Sequence, residues 1–216
     1  MKVQLFIPCF VDQLYPALGW HTVKLLEKAG CNVRYNPNQT CCGQPAYNAG
    51  FIKEARDVGE KFVRDFSGEE YNVAPSGSCT GYIRSCFDEL FEDAAFSHES
   101  KAVTRRVFEL SEFLVDVLHI TDFGASYPTV ATYHDACGAL RECGIHDQPR
   151  TLLAQVKGLE LKEMNERETC CGFGGTFSVK YEPISIGMSQ TKVQSAIQTG
   201  ASVIISSDVS CLMHLD

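Results

Sequence analysis

The sequence predicts an α/β protein made of two pseudo-symmetric lobes, each assembled from parallel-strand βα units with cysteine loops at the carboxyl ends of the strands. Three observations lead there. Short apolar and β-branched runs alternate with amphipathic helical patterns along the chain, as parallel sheets require. The element order of the first half is repeated in the second. The same cysteine spacing recurs at matching places in both copies. At 216 residues the chain is one large domain or two small, closely packed ones. The repeat divides it into a first copy over 1–95, a helix and linker over 96–128, and a second copy over 129–216.

The first strand, Val3-Gln4-Leu5-Phe6-Ile7, runs straight into Cys9. Apolar residues at Leu14, Leu18, Val23, Leu25 and Leu26 roughly follow helical spacing toward Gly30, a C-terminal stop. A short strand over Asn32–Tyr35 precedes the turn residues Asn36-Pro37-Asn38-Gln39 and the segment Thr40-Cys41-Cys42-Gly43-Gln44-Pro45. A helix is predicted from Ala46 to about Phe66 and a strand over Tyr71–Ala74. Pro75-Ser76-Gly77-Ser78-Cys79 then turns into a helix running toward Glu92. From Glu99 to Leu118 the stripe Val103, Val107, Leu110, Phe113, Leu114 and Val117 predicts one long amphipathic helix, followed by a link over Asp122–Pro128. The second copy places a strand at Thr129–Tyr133, Cys137, a helical segment around Pro149–Val156 and a strand at Leu159–Lys162. Thr169-Cys170-Cys171-Gly172, a helix from Ile184 to Thr199, a strand at Val203–Ile205 and the run Ser206 to Cys211 complete it. Ligands of open parallel sheets gather outside the carboxyl ends of the strands, where these cysteines fall.

Composition excludes several classes of protein. With 21% charged and 10% aromatic residues and no run of like charge, the chain is not of the disordered type. A net charge of -8 gives no general electrostatic footprint for a phosphate backbone, so nucleic acid is excluded as a partner. No stretch approaches the roughly 20 apolar residues of a membrane span. The amino-terminal segment lacks the apolar region and cleavage site of a secretory signal. The expected compartment is a reducing cytoplasm, where clustered cysteines bind metal or do redox chemistry more often than they form disulfides.

The 11 cysteines carry the functional signal. Aligned on their adjacent pairs, the halves read C-x31-C-C-G-x32-S-x2-C and C-x32-C-C-G-x35-D-x2-C. Two Cys-Cys-Gly triplets at matching places are about a one-in-a-thousand accident of composition. Thiolates are soft ligands suited to iron–sulfur clusters and zinc, and a cluster needs several of them converging from separate loops. Adjacent cysteines do not readily close on one small ion, but each can bind a different iron, so the pair favours a cluster. Gly43 and Gly172 permit a tight turn in which backbone N–H groups point at the sulfurs. The candidate ligands are Cys9, Cys41, Cys42 and Cys79 in the first copy, and Cys137, Cys170, Cys171 and Cys211 in the second. Cys31, Cys86 and Cys143 have no counterparts and are expected to be buried apolar residues.

This constellation resembles the cysteine-rich CCG-domain family, which includes the cysteine-rich component of heterodisulfide reductase and the iron–sulfur subunits of glycolate oxidase and anaerobic glycerol-3-phosphate dehydrogenase. Within that family the chain resembles the lactate-utilisation protein A branch. The resemblance lies in Ile7-Pro8-Cys9, Thr40 to Pro45, Pro75 to Cys79, Tyr133-His134-Asp135 with Cys137, Cys170 to Gly175, and Ser207 to His214. It implies an iron–sulfur electron-transfer subunit of a multiprotein system oxidising L-lactate to pyruvate, carrying one or two [4Fe–4S] clusters. The implied partners are the other subunits of that system, among them a ferredoxin-like iron–sulfur protein. No flavin or nicotinamide motif is present, so the substrate's electrons are expected to enter elsewhere, and no catalytic residue is assigned.

The chain departs from the family pattern in two ways. The full pattern ends each copy in C-x-x-C, whereas Ser76 and Asp208 stand at the first of those positions, as oxygen ligands or as helix caps. The chain also stops five residues after Cys211, where relatives usually continue, so the second copy is expected to be trimmed. Two rival functions follow from the same residues: a thiol–disulfide reductase working at the cluster or at Cys41 and Cys42, and a zinc-holding structural or assembly module. No C-x-x-C knuckle supports a dedicated zinc site, so zinc is expected only as a substitute at one site. His134 and His214 flank cysteines and either assist the site or bond their own loops. Gly172-Phe173-Gly174-Gly175 lacks the Lys-Ser/Thr ending of a phosphate loop.

Overall fold

A computed structural model describes residues 1–92 and 96–216. The copy boundary expected after residue 95 falls at the edge of the undescribed residues. The first sheet has strands β1 (Lys2–Leu5), β2 (Asn32–Tyr35), β3 (Tyr71–Ala74) and β4 (Val107–Glu109) in the order β2-β1-β3-β4, all parallel. Its helices are α1 (Cys9–Leu14), α2 (Pro16–Lys28), α3 (Gln44–Asn48), α4 (Ile52–Asp65), α5 (Gly77–Leu90), α6 (Ser97–Thr104) and the single turn α7 (Leu110–Glu112), which continues as a π-helical turn over Phe113–Val117. The second sheet, β6-β5-β7, is also parallel, with β5 at Ser126–Tyr133, β6 at Lys157–Leu161 and β7 at Val203–Ile205. A π-helical turn at Gly138–Glu142 and helices α8 (Asp147–Leu153), α9 (Phe177–Lys180), α10 (Glu182–Gln198) and α11 (Val209–Leu215) surround it. No helix among the described residues is long and apolar enough to cross a membrane.

The long helix expected from Glu99 to Leu118 does not form. The chain turns at Arg105 and Arg106, and Val107–Glu109 becomes β4, pairing with Asn72, Val73 and Ala74. Its apolar stripe was real, since Val103 and Val107 are buried in one core and Phe113 and Leu114 in another. Local periodicity could not register that β3 would otherwise present unpaired backbone groups along its outer edge. Two β-prone residues, Val107 and Phe108, satisfy that edge at the cost of helix continuity. The helix expected over Ala46–Phe66 also divides into α3 and α4, at Gly50, whose φ is 85°.

Apolar residues cover both faces of the first sheet. Phe6, Phe62, Phe66, Tyr82, Phe87 and Phe91 fill one side, while Val3, Leu5, Leu26 and Phe113 fill the other. The second half has a smaller buried cluster, of Ala136, Ala139, Ile145, Cys171 and Cys211. The halves meet where α5 packs against the turn Gly138–Glu142. A Cβ on Gly77 would lie 2.5 Å from the Cβ of Ala139, and one on Gly138 would lie 2.8 Å from the Cα of Ser78. Only glycine permits so close an approach of the two backbones.

Candidate metal centre

Each cysteine set is delivered by three strand-end loops. β1 feeds Cys9 at the start of α1, and β3 feeds Cys79 in the first turn of α5. In the second half β5 leads to Cys137, and β7 leads to Cys211 in the first turn of α11. The pairs Cys41-Cys42 and Cys170-Cys171 come from the third loop of each half, and each ends in a glycine with a left-handed backbone, φ 98° at Gly43 and 96° at Gly172. That turn aims the Gly43 N–H at Cys41 Sγ (3.5 Å) and the Gly172 N–H at Cys170 Sγ (3.4 Å).

The thiols converge. Cys9 Sγ lies 3.7 Å from Cys41 Sγ, and Cys42 Sγ lies 3.5 Å from Cys79 Sγ. In the second half, Sγ of Cys171, Sγ of Cys211 and a ring nitrogen of His134 lie within 4.8 Å of one another. All eight repeated cysteines line a single cavity of about 250 Å³ between the two halves. A larger cavity of about 580 Å³, lined by Leu18, Leu110, Ile204 and Leu212 among others, holds no cysteine. The chemistry of the donors, and not the volume, singles out the smaller one. Cys31, Cys86 and Cys143 do not line it. All cysteines among the described residues are free thiols.

Sulfur hydrogen bonding polarises both sets in the same way. Thiol hydrogen bonds from Cys42 and Cys9 hold Cys41 down to about 3, and those from Cys137 and Cys171 hold Cys170 down to about 2. The donating thiols are pushed up, first by that same bonding and then by burial, at Cys9 and Cys137. Cys42 and Cys171 move the same way. The first cysteine of each pair is the one that hydrogen bonding draws toward the thiolate form. This donor chemistry fits a thiophilic metal ion or an iron–sulfur group, for which thiolate is the binding form.

Ser76 and Asp208 occupy equivalent places. Ser76 Oγ accepts from the Cys79 N–H (3.3 Å), and Asp208 Oδ1 accepts from the Ser210 N–H (3.1 Å), so each caps the helix that carries its cysteine. Asp208 does more, because its Oδ2 accepts from the Ser78 N–H (2.8 Å) and from Ser76 Oγ (3.1 Å) across the halves. Asp135, two residues before Cys137, is fixed by a two-pronged ion pair with Arg150 at 2.9 and 2.8 Å.

The histidines separate in role. Ser185 Oγ donates to the Gly172 carbonyl (2.8 Å), so its lone pair accepts from His214 Nε2 at 2.9 Å, and His214 braces the second Cys-Cys-Gly turn. His134 is wholly buried, with no hydrogen bond of normal geometry to either ring nitrogen; burial, then the Lys192 cation, push its pKa down to about 4 against an opposing pull from the Arg167 backbone. Lys192 is itself buried and donates to the Glu166 carbonyl. Sequence reasoning overlooked Lys192 and Ser185, which sit inside a helix pattern. The seven-residue spacing that Ser185 and Lys192 share with Ala55 and Phe62, each pair on a helix after its Cys-Cys-Gly turn, was the available signal.

The CCG cysteine-rich domain matches residues 3–84 and again 131–216, covering both halves. The chain belongs to the CCG cysteine-rich domain family. Among its relatives, lactate utilization protein A of Halalkalibacterium halodurans is 45% identical over 215 residues, all of this chain and 88% of that protein. The proteins of the same name from Bacillus pumilus and Geobacillus kaustophilus are 44% and 43% identical over the same span, covering 90% of each. Membership agrees with the α/β repeat architecture and with the paired cysteine loops.

Proposed function

We propose that the chain is a cytoplasmic iron–sulfur electron-transfer subunit of a system that oxidises L-lactate to pyruvate. Its ligands are Cys9, Cys41, Cys42 and Cys79 at the first site, and Cys137, Cys170, Cys171 and Cys211 at the second. The observation that carries this reading is the convergence of all eight repeated thiols on one cavity between the halves. The substrate comes from the family, several of whose members bear the name lactate utilization protein A. A [4Fe–4S] cluster at each site supplies one-electron transfer. The protein's own part is to hold the sulfurs, to direct backbone N–H groups at Cys41 and Cys170, and to enclose the centres between two lobes. Lactate oxidation releases two electrons and two protons, so two one-electron centres in one cavity suit the transfer of that pair to a ferredoxin-like partner.

Anaerobic reconstitution with iron and sulfide, followed by metal and sulfide analysis and electron paramagnetic resonance of the reduced protein, tests the proposal. Iron and sulfide in equal amounts with a reduced-cluster signal are expected. Protein that takes up no iron under these conditions overturns the reading, and zinc without sulfide points instead to a structural or assembly module.

A further inference from the structure

We propose that His134 is a nitrogen ligand of the metal group at the second site, a ligand that the first site lacks. The inference rests on the reading that a metal group is held there, though not on its being an iron–sulfur cluster. The repeat supplies the comparison. Phe6 and His134 occupy one position in the two halves, each at the end of the central strand, and their N–H groups donate to equivalent carbonyls, Val73 at 2.9 Å and Ile205 at 2.8 Å. Phe6 fills its place as packing, edge-on to Phe62 and Phe66 at 5.0 and 5.5 Å. His134 does not pack in this way. Its ring is buried with no hydrogen bond of normal geometry, the Arg167 backbone being the polar group that favours its proton, and one nitrogen stands with Sγ of Cys171 and Cys211 in a group spanning no more than 4.8 Å.

Burying a ring nitrogen with no partner costs on the order of 1–3 kcal/mol, a cost that phenylalanine avoids. The first half shows that this backbone position accepts an apolar ring, so nothing in the fold itself demands an imidazole. A metal bound between Cys171 and Cys211 gives one ring nitrogen its partner. A neutral imidazole would bring nitrogen to a site otherwise built of sulfur, a difference in donor chemistry from the first site.

The test uses cobalt(II), titrated anaerobically into the full-length reduced chain and into His134→Phe, which copies the residue of the first half. Both also carry Cys41→Ser and Cys42→Ser to silence the first site. The His134 chain is expected to bind cobalt at least ~10-fold more tightly, with absorption bands that move to all-sulfur positions in the variant. Equal affinity with unchanged bands overturns the proposal. A second measurement needs no substitution at position 134. In cobalt-loaded chain labelled with [15N]histidine, a strong electron–nuclear coupling that changes with the isotope and survives His214→Gln is expected, and its absence also overturns the proposal. Cobalt makes no use of sulfide, so failure to assemble an iron–sulfur cluster would sink the functional reading while leaving this one decided on its own evidence.

Discussion

Around the first Cys-Cys-Gly turn stand Phe6, Ala55, Phe62 and Tyr82, and around the second stand His134, Ser185, Lys192 and His214. The correspondence is geometric. A Cβ on Gly43 would meet the Ala55 carbonyl at 3.2 Å and Tyr82 Oη at 3.4 Å, and one on Gly172 would meet the Ser185 carbonyl at 2.6 Å and His214 Nε2 at 3.4 Å. Phe62 and Lys192 each follow two helical turns later on α4 and α10. The same backbone therefore holds its cysteines against an aromatic wall in one half and against hydrogen-bonding and cationic groups in the other. Duplication kept the parts that place sulfur and released the parts that set its electrostatics. On the proposed reading of a cluster at each site, such a difference would set the two potentials apart, because hydrogen bonds and local charge tune the potential of a cluster.

The largest effect expected to probe this comparison is loss of one centre at a time. Cys42→Ser should remove the first centre and leave the second, while Cys171→Ser should do the reverse, each halving the iron bound after reconstitution. Loss of all iron from either variant would show that the thiols serve one shared centre. Next comes the pair of matched wall residues. Phe62 is buried against Phe6, Phe66 and Phe87, so Phe62→Ala should cost about 3–5 kcal/mol in urea unfolding. Lys192→Met keeps an apolar stem and gives up one hydrogen bond, so its cost should stay within about 1 kcal/mol. Equal losses would mean that Lys192 is a packing residue like its counterpart.

Strand β4 is a further asymmetry, since among the described residues the three-stranded second sheet has no equivalent. It ends in the buried Glu109, whose carboxyl accepts from the Ser111 and Glu112 N–H groups and is pushed up to about 7 by burial. The folded chain therefore holds this proton more tightly than the unfolded one. Its contribution to stability is full below about 4.5 and is lost as pH rises through about 7, by up to about 3 kcal/mol. Urea melts across that window should show the decline in the wild type and a flatter profile in Glu109→Gln. A last pair of effects concerns the caps. Asp208→Asn should cost about 1–3 kcal/mol, because Asp208 accepts from both halves. Ser76→Ala should cost about 1 kcal/mol, the worth of a single cap. If the two costs are equal, the bridge between the halves contributes nothing measurable.

Most strands were legible locally. Asn32–Tyr35, Tyr71–Ala74 and Val203–Ile205 form as the pattern of apolar residues and flanking turns predicts. The cysteine spacing, counted along the chain, already announced a duplicated site at strand ends. The break at Val107–Glu109 was illegible because the partner that makes it a strand, the outer edge of β3, lies more than thirty residues away. The helix of seven residues at Val209–Leu215 went unread because its start depends on Asp208 accepting from Ser210, a cap that a short polar run does not distinguish from a loop.

The sequence alone determined the repeat, the parallel α/β units and the soft-ligand chemistry, because all three are written in spacing and residue type. Tertiary structure alone decided that the two thiol sets face one cavity, that Ser76 and Asp208 are joined caps, and that His134 and Lys192 replace Phe6 and Phe62. Those facts depend on which side chains meet after distant loops fold together, and on which polar groups burial leaves without partners. Neither is a property of any window along the chain.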